Sequence, residues 1–359
     1  MINFYEKIIF LAIFYVFTCV TEKNAVNATS ITPHYLSDEE CDNPPSVVSI
    51  SPESKFEVES SSGKVTCYLS KQNVKELYPI AIVCTGSSSR EHAISAIHIH
   101  RHFLGYFLER GIAVLTIDQF GIDHKSLDIE SFMQHYTRSN RLHDHTRVID
   151  ELKRNPPPSW NGKFIFLGVS EGGPLVTSLT TLYSEDTLAT LNFSGAPGFS
   201  WREELWLFIT NMKQNLPWYI KPLMRIKPLI CILNRTPLIR YFPHFITRET
   251  YDGIMNNSLR NPTTEKSKEF MGMTPMYHQD SLTYPPPDYL KIKTPFLVVA
   301  GMKDGIFPSC EKFVTEGQKN GAPVDSMFIP DMGHIVRNRL DVIEGAFKWF
   351  DKKNPQRKF

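Results

Sequence analysis

The sequence predicts an α/β protein, a mostly parallel sheet with helices on both faces and one long insertion, on three observations. From Pro79 onward, short uncharged β-rich runs alternate with stretches of helical periodicity, the pattern of parallel strands joined by crossover helices. Gly168-Val169-Ser170-Glu171-Gly172-Gly173 lies between an apolar run, Phe164 to Leu167, and a helical stretch from Pro174 to Tyr183. Asp304 and His334 then follow in that order, each just beyond a later strand-like run. In open α/β sheets, functional groups gather at the carboxyl ends of strands.

Residues 29–62 are rich in Ser, Pro, Glu and Asp, with β-like pieces at Val47-Val48-Ser49-Ile50 and Phe56-Glu57-Val58. They read as an N-terminal extension that leads into antiparallel edge strands. Core strands are expected at 79–84, 112–117, 163–169, 188–195, 294–301 and 324–330, where apolar runs of strand length carry little charge. Helices are expected at 95–110, 138–154, 171–184, 309–320 and 339–352. Residues 199–288 break this rhythm with ten prolines, Pro285-Pro286-Pro287 among them, and many aromatics. They are expected to form an inserted cap, which leaves 29–198 and 289–359 as the core. Within the insertion, Leu205 to Arg248 holds no Asp or Glu but carries Lys213, Lys221, Arg225, Lys227, Arg235, Arg240 and Arg248 among aromatics and aliphatics. Such a segment suits either an acyl-chain pocket facing a membrane surface or an ordinary cap that buries its apolar side.

The chemistry of the three reactive residues is coherent. A serine on a strand–turn–helix elbow is presented as a nucleophile, and small neighbours let helix and strand approach. The hydroxyl of Ser170 needs a neutral imidazole to take its proton, and a carboxylate must fix that imidazole's tautomer. His334 and Asp304 are the candidates, with Asp331 as the second choice of acid. The reaction expected of this set is acyl transfer to water through an acyl-serine. Glu171 contributes its backbone N–H to the oxyanion at a helix N-terminus, while its side chain is expected to face away and complement the helix dipole. Asp118 is expected to pin local loops. His98, His100 and His102 are expected to spread around a helix without binding metal, and His143-Asp144-His145 to form a solvated helix turn. No metal or other cofactor is called for.

Together these features resemble the α/β-hydrolase superfamily over about residues 65 to 352, and Gly168 to Gly173 looks like the G-x-S-E-G-G elbow of a group of bacterial serine esterases. The resemblance implies the α/β-hydrolase fold with a cap inserted between its sixth and seventh strands. It also implies a second oxyanion donor in the loop after Pro79 to Cys84, that is, within Thr85-Gly86-Ser87-Ser88-Ser89-Arg90. Ser87 is the first choice and Ser88 the second. Val114 to Gly121 matches the aspartate-bearing turn after strand 4. Thr85 stands where His often precedes the glycine, and Gln119-Phe120 where basic residues are usual.

A net charge of +1 points away from nucleic acid as a partner. Lys7, the apolar run Ile8 to Phe17 and the small-residue site at Val26-Asn27-Ala28 read as a signal peptide over residues 1–28. The expected location is therefore secreted or periplasmic, or membrane-anchored if the segment is retained. Cleavage leaves an odd number of cysteines: Cys41 with Cys67 is the disulfide to test, and Cys84 reads as a buried apolar thiol. Of the two Asn-x-Ser sites, Asn192 falls on a core strand and Asn256 in the cap. The functional expectation is a serine esterase or lipase acting on a small-molecule or lipid ester. A thioesterase, acyltransferase or proline-type peptidase on the same residues, and a non-catalytic hydrolase-like binding module, remain alternatives.

Overall fold

The computed structural model describes residues 54–355 apart from 73–75, 91–92, 94, 124–125, 217, 219 and 241. The expected signal peptide, most of the N-terminal extension and Cys41 lie outside the described residues. The principal strands are β1 (Ser54–Ser60), β2 (Gly63–Ser70), β3 (Tyr78–Cys84), β4 (Ala113–Ile117), β5 (Trp160–Val169), β6 (Thr187–Phe193), β7 (Phe296–Gly301) and β8 (Val324–Ile329). They form one eight-stranded sheet in the order β1-β2-β4-β3-β5-β6-β7-β8. Pairs β1–β2 and β2–β4 are antiparallel, and every later pair is parallel. Strands β3, β4 and β7 are buried along their whole length, which is why each reads as an unbroken apolar run rather than an alternating one.

Helices cover both faces. On one side α1 (Ile97–Leu108) and the C-terminal α10 (Leu340–Lys353) bury Phe103, Phe107, Ile343 and Phe347 against the sheet. On the other, α3 (Arg138–Arg154) and α4 (Gly172–Leu182) bury Val148, Ile149, Val176 and Leu179. A short helix absent from the sequence reading, α2 (Ile129–His135), starts at Asp128, whose carboxylate accepts the Ser131 N–H at 3.1 Å. Between β6 and β7 the chain forms α5 (Trp201–Gln214), α6 (Lys227–Arg235), α7 (Arg248–Arg260) and α8 (Pro275–Thr283); α9 (Phe307–Lys319) then packs on β7 and β8. Two of the basic residues in the acid-free run serve this segment itself. Lys213 donates to the Ile246 carbonyl at 2.6 Å, and Arg248 pairs with Glu203 and Asp252, each at 2.8 Å.

Cys67 is fully buried on β2, and its expected pairing with Cys41 lies outside the described residues. Two expectations need correction. In the His143-Asp144-His145 turn only His143 is exposed; Asp144 and His145 are buried. The buried stripe of α3 runs Arg138, Arg141, His145, Val148, Ile149 and Leu152, so the apolar spacing continues backward through polar residues. The histidines of α1 do not simply ring a helix surface either. His100 is fully buried, hydrogen-bonded to Ser70 Oγ at 2.8 Å on β2 and to Thr116 Oγ1 at 3.1 Å on β4. Asp118, after β4, accepts from Tyr68 Oη at 2.8 Å and Ser95 Oγ at 3.0 Å.

Burial pushes the His100 imidazole down to about 3, helped by Arg101. Its unfolded value is about 6.5, so between those limits the unfolded chain binds more protons. The stability supplied by the neutral ring is complete above the unfolded value and is lost as pH falls toward the folded one. In a His100→Gln variant this proton linkage is gone. The stability advantage of the wild type over that variant should therefore shrink between pH 6.5 and 4, by up to about 1.4 kcal/mol per pH unit. Urea unfolding at pH 7 and pH 4.5 measures it; an unchanged advantage would mean the ring is not held neutral.

Candidate active site

Ser170 lies at the sharp turn from β5 into α4 with φ 52°, the left-handed region that L side chains avoid. The turn is held from both sides: the Ser170 N–H donates to the Phe193 carbonyl at the end of β6, and the Gly173 N–H donates to the Ser170 carbonyl, both at 2.8 Å. The glycines have a steric task. A Cβ at Gly168 would lie 2.5 Å from the Gly172 oxygen and 2.7 Å from Val176 Cγ2. One at Gly172 would run into the carbonyls of Cys84 and Thr85, where β3 ends.

Asp304 and His334 come from the loops after β7 and β8, and backbone hydrogen bonds join those loops. The Met302 N–H donates to Ile329 O at 2.9 Å and the Lys303 N–H to Met332 O at 3.0 Å. Asp304 is buried, with the Ile306 N–H donating to Oδ1 at 3.1 Å and His334 Nδ1 donating to Oδ2 at 2.8 Å. With Nδ1 protonated against the carboxylate, Nε2 is free to accept, and it receives the Ser170 hydroxyl at 2.8 Å. Sequence-expected Ser170, His334 and Asp304 are thus joined in one hydrogen-bonded chain. Asp331 is not part of it: its exposed side chain pairs with Arg339 at 3.3 Å.

The loop after β3 is where the two serines separate. Ser87 is exposed and lines the same cavity as Ser170 and His334. Ser88 is buried, and its backbone N–H donates to Tyr136 Oη at 3.1 Å, which corrects Ser88 as an oxyanion donor. Glu171 also departs from expectation. Its carboxylate does not face outward but is buried, accepting from Tyr136 Oη at 3.0 Å, Tyr277 Oη at 2.5 Å and the Arg141 guanidinium, with Arg138 Nε at 3.5 Å.

Residues 244–356, less than half of the chain, match the prolyl oligopeptidase family, and this stretch includes Asp304 and His334 but not Ser170. No curated protein matches in sequence. Among solved structures, a Bacillus coagulans carboxyl esterase superposes with a TM-score of 0.55 at 13% identity, covering 86% of this chain and 99% of that one. A Pyrobaculum calidifontis esterase gives 0.53 at 10% identity, covering 89% and 86%. Pyrococcus horikoshii acylaminoacyl peptidase gives 0.52 at 13% identity and covers 84% of this chain, which spans only 41% of that longer protein. The chain is an α/β-hydrolase by fold.

Within this fold the hydrogen-bonded chain opens into a cavity of about 270 Å³. Its walls are mostly apolar: Trp201, Leu205 and Phe208 from α5, Pro174 from α4, and Met271 and Met273. Three buried charged residues also line it, Glu171, Arg138 and Glu204, and the last two have no counterpart among the sequence-expected site residues. Arg138 lies over the Trp201 ring, 4.6 Å from its centroid. Glu204 accepts from Ser309 Oγ at 2.6 Å, and burial pushes its carboxyl up to about 7 against the opposing pull of Arg138 and Ser309.

The close approach at Gly172 gives a test. Gly172→Ala should destabilise the protein by about 1–3 kcal/mol, the range for overpacking, because β3 and α4 must separate. Thermal unfolding with and without the substitution checks this, and an unchanged melting temperature would refute the contact.

Proposed function

We propose that the protein is a serine hydrolase that cleaves carboxylic esters through an acyl-serine intermediate. The observation that carries this reading is the Ser170–His334–Asp304 hydrogen-bonded chain opening onto a mostly apolar cavity. In the proposed mechanism His334 Nε2 takes the Ser170 proton as Oγ attacks the ester carbonyl. The negative charge that develops on the carbonyl oxygen is met by the backbone N–H groups of Glu171 and Ser87. The imidazolium, stabilised by Asp304, then gives its proton to the leaving alcohol. Water enters, His334 takes its proton, and the acyl group leaves as the acid. The apolar walls favour an acyl or alcohol portion without charge. The setting we infer from Lys7 and the apolar run Ile8 to Phe17 is extracytoplasmic.

A peptidase on the same residues is the second reading, and Glu204 is the observation that favours it. The acid-free run from Leu205 to Arg248 argues against an acidic pocket, yet Glu204, in the cavity wall, stands one residue before that run. A substrate amino group could pair with an ionised Glu204. The match to the prolyl oligopeptidase family supports the same reading. The ester reading is preferred because a carboxyl pushed up to about 7 is only partly ionised at neutral pH, and Arg138 shares its wall.

Hydrolysis of p-nitrophenyl esters from two to sixteen carbons, run beside aminoacyl p-nitroanilides, separates the two. Esters should turn over and anilides should not. Ser170→Ala and His334→Ala should each lose about 10⁶-fold in kcat, the scale for removing a triad nucleophile or base. Turnover of the anilides alone would transfer the assignment to the peptidase. Ester turnover undiminished in Ser170→Ala would remove the acyl-serine mechanism.

A further inference from the structure

The two donors proposed for the oxyanion lie on separate pieces of chain, the loop after β3 and the elbow after β5. Their separation has to match one oxygen atom, because a donor displaced by a fraction of an ångström loses much of its value. Two connections run from the loop to one carboxylate of the elbow, that of Glu171, and a third reaches it from α8. The Ser88 N–H, next to Ser87, donates to Tyr136 Oη at 3.1 Å, and that hydroxyl donates to Glu171 Oε2 at 3.0 Å. Arg141 donates through one nitrogen to the same Oε2 and through the other to the Thr85 carbonyl at 2.8 Å. The other oxygen, Oε1, accepts from Tyr277 Oη of α8 at 2.5 Å.

We infer that the Glu171 side chain is a positioning residue that sets the spacing of the oxyanion donors, holding the Thr85–Ser88 loop to the elbow through Tyr136 and Arg141. This rests on the serine-hydrolase reading above, since only a developing oxyanion requires that spacing. Glu171 is placed for it by sequence, as its own peptide is one of the two donors. The brace has no slack. Both phenols are buried beside the Glu171 charge and stay protonated, so each remains a donor. Burial works against the Arg141 charge, yet Glu171 and its neighbours outweigh that and hold the guanidinium ionised. The close approach of Gly172 to the Cys84 and Thr85 carbonyls sets the same two pieces of chain in van der Waals contact.

Tyr136→Phe removes one oxygen atom, and with it the Ser88 link. Tyr78→Phe is the control: it also loses a buried phenol hydrogen bond, to the Pro158 carbonyl at 2.9 Å, but at the far end of β3. With a p-nitrophenyl ester the expected result for Tyr136→Phe is a fall in kcat of roughly ten- to hundred-fold with KM unchanged. An arylboronic acid supplies the second readout. Ser170 Oγ adds to boron, its proton passes to His334, and the anionic tetrahedral adduct occupies the oxyanion site. Boronate affinity should fall in parallel with kcat in Tyr136→Phe and hold in Tyr78→Phe. Glu171→Gln, which keeps the shape and loses the charge against Arg141, should give a smaller loss of the same kind, and it stands in if Tyr136→Phe does not fold. Equal losses in both tyrosine variants, or a loss carried by KM alone, would overturn the positioning role and leave Glu171 as a structural group. So would an unchanged kcat in Tyr136→Phe and Glu171→Gln. Failure of the underlying reading looks different: the wild type would hydrolyse no ester, and a fluorophosphonate would not label Ser170.

Discussion

The left-handed turn at Ser170 survives because the ends of three strands close around it. A residue at φ 52° carries strain of order 1–3 kcal/mol, which its surroundings have to offset. The compensation comes from the Phe193 carbonyl of β6, from the turn hydrogen bond of Gly173, and from packing so tight that Gly172 touches the last carbonyls of β3. The same crowding dictates what happens one residue later. Once Ser170 points into the cavity, the Glu171 side chain enters the interior between α3 and α8, where a carboxylate without partners would be costly.

That burial accounts for much of the polar architecture near the site. Arg138 and Arg141 bring two positive charges, and Tyr136 and Tyr277 bring two neutral donors, so the carboxylate oxygens have partners on both sides. Replacing such a network by apolar groups of equal volume often costs nothing in stability. Its value is geometric: charged partners accept few alternative arrangements, so α3, α8 and the loop after β3 are held in one relation to the elbow. Aromatic packing reinforces the same joint. The rings of Tyr136 and Tyr277 lie 4.8 Å apart, and Trp201 meets Tyr277 edge-on at 5.7 Å. The segment between β6 and β7 is thereby anchored at the Ser170 elbow and not only along its apolar underside.

The sheet was legible in the sequence for a simple physical reason. Strands buried on both faces are uncharged runs, and β3, β4, β6 and β7 fall within a few residues of the expected positions. The Ser170, Asp304 and His334 group was legible because each sits where a strand ends, in an order that the fold constrains. The network around Glu171 was not legible, since its members are polar and polar residues default to the surface. A signal existed in α3 nevertheless. Val148, Ile149 and Leu152 mark the inner face, and stepping back by three and four residues reaches His145, Arg141 and Arg138. Periodicity counted on apolar residues alone stops at Val148, whereas the helix does not. The choice between Ser87 and Ser88 had no such signal, because adjacent residues in a loop point apart and only Tyr136, far along the chain, decides which N–H is already taken.

The cavity wall carries the same polarity outward. Arg138 faces Glu171 on one side and lies over Trp201 on the other, so one guanidinium belongs both to the buried network and to the pocket. Glu204 stands in that pocket with Arg138 as its nearest electrostatic support and burial as its main opponent. At neutral pH the pair therefore changes character with one proton. An ionised Glu204 roughly offsets the Arg138 charge, while a protonated Glu204 leaves the wall positive and adds a hydrogen-bond donor. A mostly apolar chamber with such a wall discriminates less by charge than by the ability to place a polar group against it. This physical property is shared by the ester and the peptidase readings.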